Sequence, residues 1–145
     1  MKNFIKLFIL FLIGGLMYSL IEIIFRGYTH PSMFVLGGIM FAEIGLINEI
    51  FKRNTGLLFQ GIAGAVIITV SEFISGLILN IWLGLNVWDY SGMPLNLLGQ
   101  ISLPYSVMWI FLAMGAVIVD DLLRHWLFDE KMPKYRFFQK TLDKK

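Results

Sequence analysis

Cysteine is absent from all 145 residues, which excludes disulfides, thiolate metal sites and cysteine nucleophiles. Histidine is almost absent, with only His30 and His125. Charge is scarce as well, since Asp, Glu, Lys and Arg make up 15% of the chain. No G-x-x-x-x-G-K run exists to cradle a nucleotide phosphate, and neither H-E-x-x-H nor G-x-S-x-G occurs. ATP hydrolysis through a P-loop, zinc proteolysis and nucleophile-elbow hydrolysis are therefore set aside, and no cofactor is indicated.

What the chain has instead is apolar length. Hydrophobic residues account for 57%, and the mean hydropathy of +0.73 is too apolar for a soluble domain of this size. The expectation is an all-α membrane protein, a single integral domain over residues 1–145. The runs 4–25, 32–51, 56–85 and 95–119 predict a bundle of four transmembrane helices, each able to cross a hydrocarbon core of about 30 Å. The third run would extend about 45 Å as one straight helix, so it must tilt, project or break near Gly76. Pro104 predicts a kink in the fourth. Lys2 and Lys6 precede the first run as in a signal peptide, but its length and the lack of a small-x-small site predict an uncleaved anchor.

Of the twelve Lys and Arg residues, all but Arg26 fall at the N-terminus, in the second loop or after Val119. The positive-inside rule then places both termini in the cytoplasm and the third loop outside. The tail 120–145 interleaves these cations with Trp126, Phe128, Tyr135, Phe137 and Phe138, a basic amphipathic segment suited to the inner leaflet, whose anionic surface accounts for its charge without nucleic acid. His30 and His125 lie on opposite sides in this topology, which argues against a shared metal site.

The third loop, Trp88-Asp89-Tyr90-Ser91-Gly92-Met93-Pro94-Leu95-Asn96, is a polar, turn-rich re-entry point between two apolar runs. Trp88 and Tyr90 are rings favoured at a membrane surface, and Asp89 is the only charge between Glu72 and Asp120. Glu22 and Arg26 lie one helical turn apart at the same end, followed by Tyr28, Thr29 and His30. Glu72 lies deeper, on a face with Gly61, Ala65, Ser75 and Gly76, with Asn80 above it, while Asn96 and Gln100 open the fourth helix. These ten residues, Glu22, Arg26, His30, Glu72, Asn80, Trp88, Asp89, Tyr90, Asn96 and Gln100, form the candidate solute or ion site. Each also has a structural reading: an ion pair, a turn cap, an interfacial anchor or a helix lock. Glu43 lies opposite the Gly38, Gly45 and Asn48 face of its helix, which assigns it to a subunit interface or to a neutral acid. Glu49 with Arg53 reads as an interfacial ion pair. Finally, Ile13-Gly14-Gly15-Leu16-Met17-Tyr18-Ser19 echoes Leu36-Gly37-Gly38-Ile39-Met40-Phe41-Ala42 in a helix of opposite direction, which reads as coincidence more than as an inverted repeat.

The set Arg26-Gly27-Tyr28-Thr29-His30, Gly37-Gly38, Asn48-Glu49, Glu72, Asn80, Trp88-Asp89-Tyr90-Ser91, Pro94, Asn96, Gly99 and Gln100 resembles the small bacterial membrane proteins grouped as ABC-transporter type IV permeases. The resemblance covers about Gly14 to Trp109 and departs from the pattern at Pro31, where an aromatic residue is usual. It implies a multi-pass transport subunit of the bacterial cytoplasmic membrane. A small permease or channel component would work as a homo-oligomer or beside a separate ATPase, since four helices enclose little space. The alternative is an assembly or regulatory subunit whose outer loop binds a partner. An intramembrane enzyme using Asp89, His30 or Glu22 comes last, because no catalytic spacing supports it.

Overall fold

A computed structural model of the chain describes residues 2–51 and 55–138. Its elements are α1 (Lys2–Arg26), α2 (Pro31–Ile50), α3 (Leu57–Gly76) with a π-helical extension (Leu77–Trp82), a two-stranded hairpin of β1 (Asn96–Leu97) and β2 (Ile101–Ser102), and α4 (Leu103–Phe128). Four helices, the third counted with its extension, are long and apolar enough to cross a membrane. They associate as two antiparallel pairs, α1 with α2 and α3 with α4, joined through α2.

The first pair is built on reciprocal glycines. A Cβ at Gly14 or Gly15 would press into Phe41 or Phe34 of α2, and one at Gly37 or Gly38 into Tyr18 or Phe11 of α1. Each Gly-Gly step thus receives the aromatic rings of the other helix. The sequence echo, read as coincidence, is a packing device: two helices of opposite direction meet through the same small-residue step. Gly27 ends α1 at φ +79°, with its amide on the Ile23 carbonyl at 2.9 Å, a left-handed stop that favours glycine. After the turn, His30 caps α2, its Nδ1 accepting from the Ser32 amide at 3.2 Å, and Pro31 takes the first helical position, where its missing N–H costs nothing.

The third and fourth runs differ most from expectation. The third does not run straight to Leu85: its regular α-helix ends at Gly76, the place where a break was expected, and the helix goes on in another form to Trp82. Its backbone widens into a π turn immediately after Gly76, where a Cβ would lie 2.5 Å from Gln100 Oε1, and this turns Asn80 inward. The fourth helix starts at Leu103, not near Leu95. Leu95, Leu98 and Gly99 have φ of +52°, +53° and +67°, and the pairings Asn96↔Ser102 and Leu97↔Ile101 make a hairpin where a helix was expected. Pro104 consequently falls in the first turn of α4 and produces no kink. The helix continues past Val119 to Phe128, so the first part of the expected tail belongs to α4, which is ended by Asp129 at φ +57°.

The described part of the tail, up to Phe138, packs across one end of the bundle. The first turn of α3 has no side-chain cap; instead the Leu57 and Leu58 amides donate to the carbonyls of Arg136 and Phe137 at 2.7 and 3.2 Å. The buried core lies where α2, α3 and α4 meet and includes Met40, Ile44, Ala65, Ile68, Trp109, Ala113 and Val117.

Candidate functional site

Glu72 is the centre around which the opposite end is arranged. It is 3% exposed on the small-residue face of α3, where Gly61 meets Ile110 and Met114 of α4 and Gly76 meets Gln100. A carboxyl group at such a position must be hydrogen-bonded or neutral. Both its oxygens are engaged: the Tyr90 hydroxyl donates to Oε1 at 2.8 Å and the Trp109 Nε1 to Oε2 at 3.1 Å. Tyr105 stacks on Tyr90 with ring centroids 4.5 Å apart, and Tyr18 lies against Trp109 at 6.4 Å. At about 1.5 Å per residue, Glu72 lies roughly 15 Å below the end of the π extension. The Tyr90 loop therefore dips back between the helices, which irregular backbone can do only when protein covers it.

Side chains supply that cover. Asn80 accepts from the Val87 amide at 2.7 Å and donates to Gln100 Oε1 at 2.8 Å, and Gln100 donates on to the Leu98 carbonyl at 2.9 Å. Trp88 is 6% exposed, its Nε1 on the Gln100 carbonyl at 3.0 Å. That corrects the expectation of an interfacial anchor, because the ring is part of the packed interior. Asn96 and Gln100 do not open a helix: Asn96 pins the hairpin by donating to Ser91 and Met93 carbonyls at 3.2 and 2.9 Å and accepting from the Gly99 amide at 3.0 Å. Asp89 is exposed and caps its own turn, accepting from the Ser91 amide and hydroxyl at 2.8 and 3.0 Å, bonds that hold its carboxyl below the usual carboxylate range.

From α1, the Arg26 guanidinium donates to Glu22 and to the Val87 carbonyl, each at 2.9 Å, while Thr29 donates to Glu22 at 2.7 Å. The expected pair forms, and it also fastens the first loop to the third. Nine of the ten candidates thus enter one connected assembly, the exposed Asp89 through Ser91, whose carbonyl Asn96 holds. His30, a helix cap, stays outside its hydrogen bonds.

Glu43 is placed differently from expectation. It is half-buried and accepts from the Ser71 hydroxyl of α3 at 3.0 Å, so its own bundle supplies the partner that a second subunit was invoked to provide. The Glu49–Arg53 pair cannot be described, because Arg53 lies outside the described residues; Glu49 instead binds Arg124.

Trp109 escaped the sequence reading, although the buried stripe Trp109, Ala113, Val117, Asp120 and Arg124 recurs at helical spacing. The same stripe leads to a second polar cluster at the opposite end. Asp120 and Arg124 are 0% and 4% exposed and paired at 2.8 Å, with Glu49 also on Arg124. Asp121 accepts from Asn48 at 2.6 Å and from Tyr135 at 2.7 Å, and Lys6 binds Glu130 at 2.5 Å.

No curated protein and no solved structure was found to match the chain. A family model does match, over residues 7–137, which take in α1 from Leu7 onward, the other three helices and both polar clusters apart from Lys6. That family suggests a membrane transport component rather than an enzyme. By that match the chain belongs to the family described as Putative ABC-transporter type IV.

Proposed function

We propose that the chain is a membrane-embedded component for moving a small solute or cation, in which Glu72 takes up a positive charge or a proton and the loop 83–102 closes the approach to it. The observation that carries this reading is the Tyr90 hydroxyl on Glu72: a carboxyl inside a span, joined to a non-helical loop by one hydrogen bond of 2.8 Å, is a group that loop movement would uncover. Family membership supports the transport class and an association with a separate ATPase. The test is Glu72→Gln, which keeps shape and removes the charge. In vesicles containing an entrapped pH dye, proton or monovalent-cation flux should fall by roughly tenfold, equivalent to about 1.4 kcal/mol. Unchanged flux in a correctly inserted variant would remove Glu72 from the mechanism.

The orientation proposed from the Lys and Arg distribution puts this end outside. Ser91 is exposed at the loop tip. A cysteine introduced there, in a chain with no other, should react with an impermeant maleimide on intact cells. Labelling only after lysis would reverse the topology.

The exposed tip, with Asp89, Ser91, Gly92, Pro94 and Leu95 outward, favours the second reading of a partner-binding subunit. Purification from native membranes distinguishes the two. A stoichiometric ATPase supports transport, a homo-oligomer supports a self-contained channel or carrier, and a non-transport partner lost on Asp89→Ala supports assembly.

A further inference from the structure

In the closed bundle the Tyr90 side chain fills a slot whose walls belong to the helices. Its ring lies nearly parallel to that of Tyr105, at an interplanar angle of 14° with centroids 4.5 Å apart, and its hydroxyl donates to Glu72 Oε1 at 2.8 Å. Tyr105 and Trp109 stand one turn apart on one face of α4. Trp109 donates to the other oxygen of Glu72 and stacks on Tyr18 of α1. These four side chains are carried by regular helices, whereas Tyr90 comes from the loop that precedes the hairpin. Movement of the loop would leave the four in place and vacate the room of one flat ring. We propose that this slot binds an aromatic cation, a flat ring bearing a positively charged nitrogen, and that Tyr90 holds its place in the closed state. With Glu72 read as the cation site, as proposed above, the slot decides which class of cation it takes.

Tyr90 already makes the contacts that such a solute would make. It lays a π-face on Tyr105 and points a hydrogen-bond donor at a carboxyl oxygen. A free neutral phenol would only repeat these contacts, without the advantage of a tether that keeps the competitor at high local concentration. A charged nitrogen changes the balance. It adds a full Coulomb attraction to Glu72 in a site of low dielectric, and the face of Tyr105 attracts a cation through its quadrupole. Charge thus supplies the surplus needed to displace a tethered side chain, and the ring keeps the stacking that Tyr90 gives up.

Other classes of solute fit less well. An aliphatic ammonium would meet Glu72 but leave the face of Tyr105, covered by Tyr90 in the closed state, without a stacking partner. Among the described residues no group of three His, Cys, Asp or Glu side chains could hold a metal ion. An alkali cation gives up its water to rings of oxygen ligands, whereas the groups gathered here are aromatic. An anion would face the carboxylate itself.

Titration calorimetry on the full-length protein in detergent, corrected for empty micelles, tests this with benzylammonium. Butylammonium serves as the charge without the ring and benzyl alcohol as the ring without the charge. Benzylammonium should bind about tenfold more tightly than either, and Glu72→Gln should raise its Kd about tenfold. Tyr90→Phe should lower that Kd about tenfold, equivalent to about 1.4 kcal/mol, because the ring in the slot has lost its hold on Glu72 and the open form is more populated. Such a gain separates a placeholder from a merely structural tyrosine, whose loosening would weaken binding or leave it alone. Both substitutions nearly preserve side-chain size, and unchanged circular dichroism shows that the fold is kept. No benzylammonium binding in the parent or in Tyr90→Phe, either control binding as tightly, or a Kd that Tyr90→Phe fails to lower would each overturn the assignment. Butylammonium binding as tightly as benzylammonium and lost in Glu72→Gln would overturn the ring while keeping Glu72 as a cation site. Benzylammonium binding that ignores Glu72→Gln would overturn both.

Discussion

Arg124→Met is expected to cost about 3–5 kcal/mol of unfolding free energy, the loss typical of breaking a buried ion pair by removing one partner. Asp120 is 0% exposed, and the guanidinium Nε at 2.8 Å is its one cationic partner among the described residues. Without it the carboxylate would keep, among the described residues, only the Asn48 amide at 3.4 Å, a weak bond, and no solvent. The neighbourhood cannot close around the loss. Gly45 of α2 lies so near that a Cβ there would be 2.7 Å from Asp120 Oδ1 and 3.1 Å from Arg124 Nη2. Desolvation dominates this comparison, so removing the orphaned charge should restore stability. The double variant Asp120→Asn/Arg124→Met should recover at least half of the loss, whereas two independent surface effects would add. Unfolding in mixed micelles titrated with SDS and followed by circular dichroism measures both. A single variant within about 1 kcal/mol of the parent, or a double variant no better than the single, would show that the pair is not held as a buried unit.

The helices themselves were legible because each is a long apolar run, and such a run in this composition has few other solutions. The first two were placed within a residue or two at each end, since Pro31 and Gly27 are unambiguous punctuation. The fourth was displaced because Leu95, Leu97 and Leu98 look like the beginning of a membrane helix, whereas the backbone there is set by Asn96, whose side chain ties both sides of the hairpin. Hydropathy cannot register such a tie. The same limit explains Trp88. Its composition suits an interface, but its depth follows from Gln100 and Asn80, two residues whose convergence depends on the π turn after Gly76. The Glu72 site could be anticipated as a cluster, since its members share one end of four helices. What they do there could not. The sequence reading expected an outward-facing layer, and the structure has a closed set of hydrogen bonds in which Asn80, Gln100 and both Glu72 oxygens are engaged. Glu43 shows the converse case. A helical wheel finds the face opposite the glycines, but α2 is packed on more than one side, and Ser71 of α3 meets the carboxyl there.

Trp88→Ala is the second large expected effect, and it separates an anchoring ring from a packed one. An interfacial tryptophan contacts solvent and headgroups, and its removal should change stability by less than about 1 kcal/mol, as for other surface substitutions. In this structure the ring is 6% exposed, belongs to the same core as Trp109 and Val87, and holds the Gln100 carbonyl at 3.0 Å, so truncation should cost about 3–5 kcal/mol. Trp88→Phe should lie between, near 1–3 kcal/mol, because most of the ring volume remains while the carbonyl loses its donor. Gln100 makes the consequence travel: its side chain binds Asn80, and Asn80 holds the Val87 amide at the entry to the loop. Loosening at Trp88 should therefore release Tyr90 from Glu72 before the helices separate. In Trp88→Phe, where the fold survives, that release should appear as faster hydrogen exchange confined to residues 83–102, with α1 and α2 unaffected. Exchange that rises uniformly across the bundle would mean that the loop is not a separately held element, and the proposal that it closes over Glu72 would lose its physical basis.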